Sequence, residues 1–88
     1  MNAVISVVGK DTVGILAKVA AVCAEQKANV IDVSQTVLQK MFCMIMIVEV
    51  QTGSDIASLR AALKAMGEAA GLQIHVMHED VFDSMHHV

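Results

Sequence analysis

The chain has 88 residues, enough for one domain around one core. It is 56% hydrophobic and 17% charged, a balance that excludes disorder. The formal net charge is -3, the six Lys and Arg are scattered, and only Phe42 and Phe82 are aromatic. Nucleic-acid binding, which wants clustered cations and stacking rings, is therefore not expected. No apolar run reaches the ~20 residues of a membrane span.

In chain order, Ala3 to Val8 is short and β-branched and predicts a strand without the basic lead-in of a signal peptide. Gly9 to Gly14 reads as a loop, with Asp11 or Thr12 able to cap the helix that follows. In that helix Ile15, Val19, Val22 and Gln26 keep helical spacing, widened by Leu16, Ala20 and Cys23. Asn29 to Leu38 alternates, with Ile31, Val33 and Val37 on one face and Asp32, Ser34 and Thr36 on the other. Gln39-Lys40 predicts a tight hairpin. Met41 to Val50 is apolar on both faces, as in a central strand with both sides covered.

Ser54 is the expected N-cap of a second helix, in which Ile56, Leu59, Leu63, Met66 and Ala70 repeat at steps of three and four before Gly71 stops it. Leu72, Ile74 and Val76 alternate with Gln73, His75 and Met77, which predicts a half-exposed last strand. A final helical turn through Phe82 and Met85 closes the chain. The order βαββαβ predicts an α+β, ferredoxin-like sandwich: a four-stranded antiparallel sheet with two helices on one face. The other sheet face is then bare, and large bare apolar patches are rare on monomers, so a homodimer is expected.

The candidate site starts at the glycine-containing loop and the helix N-terminus. Such an end offers N–H donors and a positive dipole to an anion, and Gly14 lets a ligand approach closely. Asn29 and Asp32 open the next strand at the far end of the helix and can meet the loop only across subunits. The same residues have structural readings: Asp11 a cap, Gly14 a packing residue, Asn29 a turn residue. Gly9 and Gly14 do not make a phosphate loop, because Ile15-Leu16 stands where Lys-Ser/Thr is required.

The run Val7-Val8-Gly9-Lys10-Asp11-Thr12-Val13-Gly14-Ile15-Leu16 resembles the opening of an ACT domain, and Asn29-Val30-Ile31-Asp32-Val33-Ser34-Gln35 resembles its second strand. The resemblance covers nearly the whole chain, residues 1–88 as a single ACT domain, and is nearest to the small stand-alone ACT proteins. It implies a regulatory module that binds a small molecule, an amino acid above all, between the loop of one subunit and the strand start of its neighbour. The implied site residues are Asp11, Gly14, Ile15, Leu16, Asn29 and Asp32. A regulator that docks on a protein without its own ligand is the alternative.

No cofactor, metal site or enzymatic centre is expected. His75 and His78 face opposite sides of a strand, and His86 and His87 sit at the chain end. Cys23 and Cys43 lie in apolar runs and form no Cys-x-x-Cys. They read as reduced, buried thiols of a cytoplasmic protein.

Overall fold

A computed structural model describes residues 1–10, 13–51 and 55–85. The elements are β1 (Asn2–Lys10), α1 (Ile15–Glu25), β2 (Ala28–Leu38), β3 (Met41–Val50), α2 (Ile56–Ala70), β4 (Gln73–His78) and α3 (Glu79–Met85). The strands form one antiparallel sheet in the order β2-β3-β1-β4, the ferredoxin-like arrangement, with α1 and α2 on one face. Gly9 and Lys10, read as loop from the sequence, continue β1 and pair with Phe42 and Met41.

The core lies between the sheet and the two helices. Ile5 and Val7 of β1, Met44 and Met46 of β3, Val19 of α1 and Leu63 of α2 are all essentially inaccessible. Burying a side chain of this size contributes roughly 1.5–3 kcal/mol. Helix α2 comes close to β4 because position 67 has no side chain. A Cβ on Gly67 would lie 3.0 Å from the Ile74 side chain.

Both helices stop by local backbone geometry. Lys27, just past α1, has φ 58°. Gly71 ends α2 at φ 73°, and the N–H of Leu72 donates to the Gly67 carbonyl at 2.7 Å. At the start of α2 the capping residue is Asp55, whose Oδ1 accepts the Ala57 N–H at 2.9 Å. The expected cap Ser54 lies outside the described residues. The hairpin at Gln39-Lys40 is as tight as predicted. Both residues take positive φ, 49° and 69°, the twist that suits a two-residue connection.

Two expectations about the sheet are corrected. The alternation of β2 is interrupted: a register shift between Val30 and Asp32 leaves Ile31 as an extra residue. Ile31 is therefore 52% exposed rather than a core neighbour of Val33, and Val37, near the free end, is 54% exposed. The face away from α1 and α2 is also not uniformly bare. Val4, paired with Ile47 and Met77 on that face, is 1% exposed. The segment α3 follows β4 directly and contacts β1 and β4, so that side of the sheet carries its own cover. The apolar side chains still open lie on the β2–β3 side: Leu38, Met41 and Ile45, with Cys43 and Ile47 half-buried.

Candidate functional site

The first half of the candidate site is the entry to α1. Gly14 is the N-cap residue, at φ 83° and ψ 14°, and its carbonyl accepts the Lys18 N–H at 3.0 Å. This is the left-handed region, which glycine enters without strain. Among the described residues no side chain caps the helix, so none of their Ser, Thr or Asp oxygens takes its first N–H groups. Among the described residues the space above Gly14 is open, with no atom within 4 Å of where a Cβ would stand. Gly14 therefore meets a backbone demand, its positive φ, and packs against no atom of the described residues.

Asp11, like the alternative cap Thr12, lies outside the described residues. Ile15 is 2% exposed and belongs to the core, so it offers a ligand only its backbone. Leu16, expected to widen the buried stripe, is instead exposed at the start of the helix beside Val13.

The second half is the start of β2. Asn29 and Asp32 are both exposed and stand on the sheet face away from α1 and α2. Asn29 pairs in register with Glu49, which also pairs with Asn2, so two amides flank one carboxylate. Asp32 follows the bulge, and its Oδ1 accepts the Val33 N–H at 2.9 Å. Within one subunit the two halves do not meet. They sit at opposite ends of α1, whose 11 residues span about 16 Å.

His78 Nδ1 accepts the Asp80 N–H at 3.0 Å and so starts α3 as an N-cap. His75 and His78 pair with Ser6 and Ala3 and lie on opposite sheet faces. Among the described residues no three His, Cys, Asp or Glu side chains come together as a metal site; His86 and His87 lie outside them. Cys23 is buried, and desolvation raises its thiol pKa. Cys43, expected to be buried, is only half so, because it occupies the face of β3 that α1 and α2 do not cover.

The comparisons place this geometry in a family. A family model described as ACT domain matches residues 2–77. The UPF0237 protein YjhC of Lactococcus lactis is 48% identical over 86 residues, covering 98% of each chain. An ACT domain protein from Streptococcus pneumoniae superposes with a TM-score of 0.83 at 37% identity, covering 94% of each chain. The regulatory subunit of aspartate kinase from Thermus thermophilus, ligand-free, superposes at 0.67 and 25% identity, over 85% of this chain and 49% of that one.

The fold and its β1–α1 entry are those of an ACT domain. This chain belongs to the ACT domain family and is similar along its whole length to the small UPF0237 proteins.

Proposed function

We propose that this chain is a non-catalytic regulatory module of the cytoplasm that binds a free amino acid between two copies of itself. The observation that carries the reading is the entry to α1: an exposed N-cap glycine in left-handed geometry and, among the described residues, open space above it and helix N–H groups without a side-chain cap. A carboxylate there would accept from those N–H groups and meet the positive end of the helix dipole. The polar answer to the ligand's ammonium comes from the partner subunit's Asn29 and Asp32.

Strand β2 supplies the symmetry. It is an edge strand of 11 residues, long enough to need a cover. Strands β1 and β2 run parallel, each being antiparallel to β3. Antiparallel pairing of two β2 edges therefore turns the partner's strand start toward the end where α1 begins. The likeness to a regulatory subunit of aspartate kinase supports a regulatory rather than catalytic role.

The test is a thermal-shift screen against the free amino acids, read with an external dye because the chain has no Trp or Tyr. A ligand at one hundred times its dissociation constant is expected to stabilise the assembled state by ~2.7 kcal/mol. Asp32→Ala is expected to weaken that shift while leaving the unliganded melting temperature nearly unchanged. If no amino acid moves the transition, the reading fails.

A further inference from the structure

The outer flank of the molecule, away from the site above, carries a groove between α2 and β4. Strand β4 is the other edge of the sheet. Two adjoining cavities of about 350 Å³ each run beside it and share Lys64, Ile74 and His75. Arg60 lines one of them, and Glu68 closes the far end of the other.

Arg60 and Lys64 are one helical turn apart. Among the described residues neither has a carboxylate within ion-pair distance. Arg60 is nonetheless held in place. Its Nε donates to the Val76 carbonyl at 3.1 Å, tying the guanidinium to the outermost strand and leaving its Nη groups for another acceptor. The groove thus has an apolar floor, a strand edge along one side and, along the other, two cations without an ion pair among the described residues.

We propose that this groove docks an acidic segment of another protein, bound in extended form as an added strand beside β4. Spacing favours this occupant. Positions i and i+4 of a helix are separated by about 6 Å along the axis. Alternate residues of a strand, which share a face, are separated by about 6.6 Å. Two acids with one residue between them therefore match Arg60 and Lys64. Glu68, a turn further along, repels a third acid and favours a neutral or basic residue there. The cavities follow β4 from Gln73 to Met77, about 16 Å of strand, which is longer than a single amino acid and fits four or five peptide residues.

A labelled hexapeptide, Val-Glu-Val-Glu-Val-Lys, tests this by fluorescence anisotropy and by amide chemical shifts of the isotope-labelled protein. Binding is expected to move the amides of residues 73–78 and to weaken with added salt. Lys64→Gln and Arg60→Gln are each expected to weaken it by roughly fivefold, the upper range for exposed ion pairs. Lys18→Gln, on α1, is expected to leave it unchanged. Should Arg60→Gln melt lower than the parent, Lys64→Gln alone decides. Three results overturn the proposal: no binding at millimolar peptide, equal binding of the peptide with its central Val replaced by Pro, or full competition by citrate at equal concentration. The last would make the groove a small-anion site. The readout does not involve amino acids, so it stands or falls independently of the ligand site at α1.

Discussion

Gly14 shows how one residue carries two demands. Its φ of 83° means that any side chain there strains the backbone, whatever space surrounds it. Gly14→Val is therefore expected to cost about 1–2 kcal/mol in denaturant unfolding as well as blocking the approach of a ligand. Gly14→Asn, which tolerates the left-handed region better, separates the two effects: near-parental stability with a reduced ligand shift is the expected pair of results. Cys23 makes a second prediction at this scale. Burial raises its pKa above the ordinary 9.0, so the folded state resists ionisation that the unfolded chain accepts. The stability this group contributes is complete below pH 9.0 and declines as the pH rises toward its folded pKa. Urea unfolding between neutral pH and pH 10 is expected to show that loss, and Cys23→Ala to flatten it. A thiol reagent is expected to modify Cys43 quickly in the native protein and Cys23 only on unfolding.

At the scale of elements, α2 was the most legible from sequence. Its apolar steps of three and four name the residues that reach the core, with Leu59 and Leu63 at 1% and 0% exposure. Leu63→Asp would bury an unpaired carboxylate at a cost of several kcal/mol, comparable with the total stability of a small domain. Loss of the cooperative melt, followed by circular dichroism, is the expected outcome. The turn at Gln39-Lys40 was legible because only two polar residues separate two apolar runs. The bulge in β2 was not, since a β-branched Ile fits an alternating pattern whether or not it is the extra residue. The start of α1 on Gly14 was hidden for a related reason: a left-handed glycine backbone leaves no side-chain signal, and the caps expected at Asp11 or Thr12 lie outside the described residues. Asn29 and Asp32 were legible as polar strand residues, but no one-dimensional pattern says which face they share or that Glu49 stands opposite.

For the whole molecule, the two sides of the sheet's outer face have different fates. Toward β4 the chain covers itself with α3, and Val4 is sealed. Toward β2 it leaves Leu38, Met41 and Ile45 open and ends in an uncapped strand edge. Association through β2 is the proposed remedy, and it makes melting concentration-dependent. Sedimentation is expected to find a dimer at micromolar concentration. Val37→Glu, placed on the exposed β2 edge, is expected to weaken the dimer at least about tenfold. A monomer in the unmodified protein would remove the basis for a shared ligand site.

The single unpaired residue of β2 has a further meaning, visible when the strand is shortened on paper. Val30 pairs with Val48, and Asp32 with Ile47. Excising Ile31 would join these two stretches into an unbroken ladder in which every neighbour keeps its partner and its side of the sheet. The hydrophobic interior would not register the deletion. An ordinary one-residue deletion in a strand would turn everything beyond it inside out. The chain thus carries a residue that its core does not require, placed between the two polar groups assigned to the ligand. What Ile31 supplies is curvature, the local bend and added twist that aim Asn29 and Asp32. A protein lacking Ile31 is expected to fold and melt much as before, and to have lost its response to the amino acid.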